Sequence, residues 1–135
     1  MINYPPKILI ALSEAIDENH DIARWLLENG FPELTAVASA IHLDEEAFDW
    51  LMKHKFPHFG AFTKAVWDDK KAYYWLREHG FDLMVKLADA SRGDDVSLQW
   101  LRDQDLEVFI RIAQKTAEVI KRKEFELKDY HRFHI

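Results

Sequence analysis

The sequence predicts an all-α protein: an α–α superhelix (solenoid) of 25-residue helix-pair repeats, with an N-terminal half-repeat and a long C-terminal capping helix. Two observations carry this expectation. A Trp-Leu pair recurs at Trp25-Leu26, Trp50-Leu51, Trp75-Leu76 and Trp100-Leu101. The residues that open and close helices recur in the same register around it.

The chain divides into one domain: a half-repeat at 5–18, repeats at 19–43, 44–68, 69–93 and 94–129, and a tail at 130–135. Pro5-Pro6 gives a stiff approach to the half-repeat, whose Leu9, Leu12, Ser13 and Ile16 follow helical spacing. Each full repeat opens on an N-cap six residues before its Trp, at Asn19, Asp44, Asp69 and Asp94. Asn and Asp suit that position because a side-chain oxygen accepts from the orphan amides of the first turn. Gly30 and Gly80 fall where the first helix of a pair ends, a place that favours left-handed backbone. Lys55 and Asp105 hold that slot in the other copies, so those ends carry strain or terminate differently. Pro32 and Pro57 then open the second helix, and Asp82 and Glu107 replace them with acids suited to the positive end of the helix dipole. Leu34, Val37, Ala38 and Ile41 line one face of that second helix, and later copies keep the stripe.

The four tryptophans share one column beside a leucine, which points to inter-repeat core, where truncation to Ala costs about 3–5 kcal/mol. Asn29, His54, His79 and Gln104 share a column in the last turn of each first helix and are expected to cap carbonyls. His54 and His58 are separated by a helix boundary, and His131 and His134 lie in the tail, so neither pair makes a convincing metal site.

Composition narrows function mostly by exclusion. There is no cysteine, which removes disulfides and thiolate chemistry and fits a reducing, cytoplasmic location. No apolar run is long enough for a membrane span. The net charge is −6 and uneven: residues 1–46 hold nine acids against two bases, and residues 107–135 hold five against seven. So acidic a chain is a poor nucleic-acid ligand, and the polarity could assist head-to-tail association. The four serines lie outside any nucleophile elbow, and no catalytic residues, cofactor or metal site are expected.

The period and the Asp-x-x-Ala…Leu spacing at Asp44–Leu51 and Asp69–Leu76 resemble short helix-pair solenoids of the leucine-rich repeat variant type, over residues 19–116. The Trp column departs from that pattern, and the cysteine cluster some members carry is missing. The resemblance implies a role in binding other proteins.

Residues that break their columns are the candidates for a binding surface. Trp67 stands with His42, Arg92 and Ala117, and Tyr74 with Arg24, Asp49 and Gln99. Val85 and Ile110 make their helices apolar beyond the stripe. Val119, Ile120, Phe125, Leu127, Tyr130 and Phe133 either fold back over the last repeats or join an exposed partner or homodimer surface. The expected function is non-catalytic protein binding through Trp67, Tyr74, Val85 and Ile110. Two alternatives stand beside it: a small-molecule site or enzyme using His54, His79 and Tyr74 in a groove, and an acidic inhibitor masking a basic partner.

Overall fold

A computed structural model describes residue 1 and residues 3–134, with side chains through 129. Among the described residues there are helices and turns and no strand. The helices are α1 (Pro6–Ile16), α2 (His20–Glu28), α3 (Pro32–Ile41), α4 (Glu45–Lys53), α5 (Pro57–Ala65), α6 (Lys70–Glu78), α7 (Asp82–Ser91), α8 (Asp95–Asp103) and α9 (Glu107–His134).

Local chemistry sets these boundaries. The Asn19 side chain accepts from the Ile22 amide, Asp44 from Glu46 and Ala47, Asp69 from Ala72, and Asp94 from Val96. Caps of this kind are each worth about 1 kcal/mol. Every one of the eight links carries a single left-handed residue: Glu18, Gly30, Leu43, Lys55, Asp68, Gly80, Gly93 and Asp105. Lys55 and Asp105 hold φ of 68° and 57°, so the strained alternative for the non-glycine ends is the one adopted. That conformation costs a residue with a Cβ about 1–2 kcal/mol, and it makes each link short.

Hydrophobic spacing divides the helices into two layers. In each odd-numbered helix one stripe is fully enclosed: Leu12, Val37, Phe62, Leu87 and Ile112 all lie at 0% exposure. From the even-numbered helices Leu26, Leu51, Leu76 and Leu101 enter the same core, also at 0%. The Trp column does not. Trp25 is 45% exposed and Trp50, Trp75 and Trp100 are half-buried against the core's outer side. Adjacent helical positions differ by about 100°, so the leucine of each pair points inward and its tryptophan lies across the rim.

The odd-numbered helices pack in sequence, α1 on α3, α3 on α5, α5 on α7 and α7 on α9, and α9 then packs on α1. The inner layer is therefore a closed ring of five helices. Each even-numbered helix sits outside it, against the two inner helices that flank it in sequence. The first and last inner helices of the array thus meet.

Charge closes the ring. Arg111 of α9 pairs with Glu14 of α1, and its Nε donates to Ser13 Oγ at 2.8 Å. Lys115 pairs with Asp17 and Arg122 with Glu18, both at 3.1 Å. The hydrogen bond to Asp17 and the nearby carboxylates raise the Lys115 pKa. The acidic front and basic tail thus meet inside one molecule.

Segments near both ends of the chain pack against the ring. Val119 and Ile120 are buried where α9 runs past the other helices, and Glu124 lies 3.6 Å from Arg92. Phe125 and Leu127 are exposed, so the tail covers the array only through its first turns. Tyr130 and Phe133, with His131 and His134, lie outside the described side chains. At the other end the Tyr4 hydroxyl donates to Glu33 Oε1 at 3.0 Å, and the ring packs near Phe31 and Phe59. Burial and the Glu33 carboxylate push the Tyr4 phenol well above its ordinary value.

Candidate functional site: grooves between the outer helices

The residues that broke their columns have structural partners. His42 Nε2 lies 2.8 Å from the Ile16 carbonyl, Trp67 Nε1 donates to the Ile41 carbonyl at 2.9 Å, and Arg92 Nη1 donates to the Val66 carbonyl at 3.4 Å. Each reaches back 26 residues to the end of the preceding inner helix. The shared property of His, Trp and Arg is a side-chain N–H able to answer an orphan carbonyl. Trp67 is a half-buried rung of that ladder, not a free contact residue.

Val85 and Ile110 do not form an exposed surface: they are 8% and 5% exposed. Their column faces the preceding outer helix. Thr35 there donates to the Ala23 carbonyl at 2.8 Å, and at Gly60 a Cβ would meet Met52 Sδ at 2.7 Å. Of the four expected contact residues only Tyr74 is exposed, at 53%. It stands edge-on to Tyr73 with the Arg77 guanidinium 6.0 Å from its ring.

The histidines do not converge on Tyr74. His54 Nδ1 lies 2.8 Å from the Trp50 carbonyl and stacks on the Trp50 ring at 4.0 Å; His79 repeats this at Trp75 at 2.8 and 4.1 Å. Asn29 Nδ2 donates to the Trp25 carbonyl at 2.8 Å. The column ends helices. Among the described residues no group of three His, Asp or Glu could hold a metal ion.

What remains open is a family of grooves. Outer helices do not pack on one another to any comparable degree, so each neighbouring pair leaves a trough floored by an inner helix. The trough between α4 and α6 holds about 330 Å³ and is walled by Phe48, Met52, Ala72 and Trp75 over Pro57 and Ala61. Met52 is 47% exposed. Gly60 lets Met52 and Phe48 approach α5, and the Trp75 ring is held by His79 and by Phe81 at 5.8 Å. Lys64 lies over Phe48 at 4.3 Å and pairs with Glu45 at 2.8 Å, leaving Lys71 on the opposite rim.

The next trough, 25 residues on, is chemically different. Phe48 becomes Tyr73, Met52 becomes Arg77, Pro57 becomes Asp82, Ala61 becomes Lys86 and Lys64 becomes Asp89. Two of its polar groups satisfy one another: the Tyr73 hydroxyl donates to Asp89 Oδ2 at 3.0 Å. Desolvation raises the Asp89 carboxyl, partly offset by that hydrogen bond, and raises Tyr73 as well. A smaller cleft of about 230 Å³ behind Tyr73 is lined by Asp68, Lys70, Asp89 and Arg92. Asp68 and Lys70 lie 3.7 Å apart.

Reading by column missed Met52 and Gly60. The sequence signal was the coincidence of a glycine in one column with a methionine and a phenylalanine in the helix it faces. Among the described residues no helix is long and apolar enough to cross a membrane. No protein-family model matches the chain, and no curated protein or solved structure matches it either.

Proposed function

We propose that this chain is a non-catalytic protein-binding module of the cytoplasm, with the troughs between its outer helices as contact surface. The observation that carries the reading is the trough between α4 and α6. It exposes Met52 and Trp75 to solvent where the next trough presents Arg77 and a satisfied Tyr73–Asp89 pair. A flexible methionine beside a braced aromatic ring is a common chemistry for accepting another protein's apolar side chains. The lack of cysteine fits a reducing compartment. The resemblance to helix-pair solenoids of the leucine-rich repeat variant type points the same way.

The competing readings have less behind them. An enzyme using His54, His79 and Tyr74 loses its constellation, because each histidine is spent on a different helix end. An acidic inhibitor loses several of its steering charges, since Glu14, Asp17 and Glu18 are paired with α9. A homodimer through Val85 and Ile110 lacks accessible side chains there.

The test is affinity capture from native extract with quantification of bound protein. The proposal expects a partner at near-equal stoichiometry, competed by untagged chain. Capture of nothing above an unrelated control of equal charge would overturn it.

A further inference from the structure

We propose that the segment ahead of α1 is an acid-released strap: it lies docked on one rim of the inner ring while His58 is neutral, and lifts off when that imidazole takes up a proton. Release bares the seat of Tyr4 on Phe31 and Phe59. The proposal stands apart from the protein-binding reading above.

The repeat sets the rim. Ile8, Glu33, His58, Leu83 and Val108 recur every 25 residues, near the starts of the five inner helices. Ile8, Leu83 and Val108 are apolar and pack with the core. Glu33 and His58 are the polar members, on α3 and α5, which pack together. The strap reaches both. The Tyr4 ring lies 6.0 Å from Phe31 and 6.4 Å from Phe59, and its hydroxyl donates to Glu33 Oε1 at 3.0 Å. Glu33 is only 7% exposed, so that bond answers a buried carboxylate and anchors the strap. Met1 packs against the core as well.

His58 is built to resist a proton while the strap is down. Phe59 carries it at 4.4 Å between ring centroids, and Phe81 stacks on it at 5.2 Å. His42, His54 and His79 each meet a backbone carbonyl, but among the described residues His58 has no hydrogen-bond partner. It is the second residue of α5, where the positive end of the helix dipole opposes a cation. Other charged groups reach this end of α5 from every helix packed on it. Glu33 comes from α3, and Lys53, His54 and Lys55 from the close of α4. Glu78 and His79 close α6, and Asp82 opens α7. Of the charges around it, the one that bears on His58 is the Met1 amine of the strap, and it is positive. Glu33, the acid at the equivalent position, is engaged by Tyr4.

The sign follows by linkage. Burial and the Met1 amine hold the docked imidazole below 6.5, and a lifted strap removes the amine and part of the burial. The lifted state therefore binds the proton more tightly, and docking loses favour as pH falls below 6.5.

The experiment places one nitroxide at Asn3→Cys, an exposed strap position in a chain without cysteine, and follows its mobility by electron paramagnetic resonance. Between about pH 7.5 and about pH 5 the mobile fraction should at least double, while circular dichroism shows the helices intact. The chain holds seven histidines, and His58→Phe isolates this one: it should leave the label immobile across the range. His58→Gln repeats the test should the Phe variant melt early. Tyr4→Phe removes the anchor and should mobilise the label at both pH values. A label that stays immobile at the acid end, or a rise that persists without His58, would overturn the proposal. So would helix loss over the same pH range, since release would then be unfolding of the whole chain.

Discussion

Reversing the cations of the α1–α9 seam should destabilise the ring, and the size of the effect follows from the exposure of the three ion pairs. In Arg111–Glu14, Lys115–Asp17 and Arg122–Glu18 the side chains are between 23% and 50% exposed, so solvent screens each pair. Pairs of this kind contribute about 0.2–1 kcal/mol apiece, or about 1–2 kcal/mol for the three together. The variant Arg111→Glu, Lys115→Glu, Arg122→Glu removes that attraction and adds repulsion of similar size, a loss of about 3 kcal/mol in all. For a chain of this length, that lowers the melting temperature by roughly 10 °C.

The salt dependence gives the sharper readout. Raising sodium chloride from about 0.1 to about 1 M shortens the Debye length from about 10 to about 3 Å. The native seam should then lose stability relative to its low-salt value, and the reversed seam should gain. Adding Glu14→Lys, Asp17→Lys and Glu18→Lys to the reversed variant restores opposite charges and should recover most of the lost melting temperature. Thermal melts by circular dichroism at the two salt concentrations measure all of this. A reversed variant that melts with the native protein, or a double swap that rescues nothing, would refute electrostatic closure.

The remaining predictions test other parts of the structure. Leu26→Ala should cost about 2–5 kcal/mol, whereas Trp25→Ala should cost clearly less because nearly half its surface is already in water; urea unfolding compares them. Replacing the left-handed Leu43, whose side chain is 45% exposed, with Gly should stabilise by about 1 kcal/mol in the same assay. Trp67→Phe leaves the Ile41 carbonyl without its donor and should cost about 1 kcal/mol or more. At alkaline pH the sign comes from Tyr4: its folded pKa lies above the unfolded value of 10.0, so the unfolded chain releases the proton first. Its contribution is present below pH 10 and is lost as pH rises beyond it, and Tyr4→Phe should flatten that alkaline decline. His58 acts at the acid side. Burial, with the nearby N-terminal amine, lowers its folded pKa below 6.5, so stability should fall as pH drops below that value. His58→Gln should reduce this acid slope in pH-dependent melts.

The helix-pair plan was legible because local chemistry writes it: caps at Asn19, Asp44, Asp69 and Asp94 accept from first-turn amides, and helix starts recur with them. Columns alone could not say which way a residue faces. Trp25 and Leu26 are adjacent and equally regular, yet one is outside and the other enclosed, because the helix turns about 100° per residue. Column-breakers also misled where a column conserves a bond and not a shape. His42, Trp67 and Arg92 differ in size and polarity, yet each places an N–H at the preceding carbonyl.

Ring closure was present in the sequence as an unresolved conflict. Glu14, Asp17 and Glu18 crowd the C-terminal end of α1, where the helix dipole disfavours negative charge and no basic residue stands in the last turn. That placement calls for cations from elsewhere, and α9 brings Arg111, Lys115 and Arg122. Curvature itself accumulates from small rotations at every junction, so no single residue announces it. The binding trough was hidden for a related reason. Met52, Gly60 and Trp75 belong to three helices, and only packing puts them around one space.

The two ends of the helix array meet, and an intramolecular distance tests this most directly. The chain has no cysteine, so Lys7→Cys on α1 and Glu107→Cys on α9 would carry unique spin labels at two exposed sites of equivalent repeat position. Packed helices lie about 8–10 Å apart, so with label linkers the closed ring predicts a pulsed dipolar distance centred near about 20 Å. An open array of the same helices would separate the labels by four such steps, a distance of about 40 Å. A single narrow peak at the short distance is the expected result, and a dominant peak at the long one would contradict the ring.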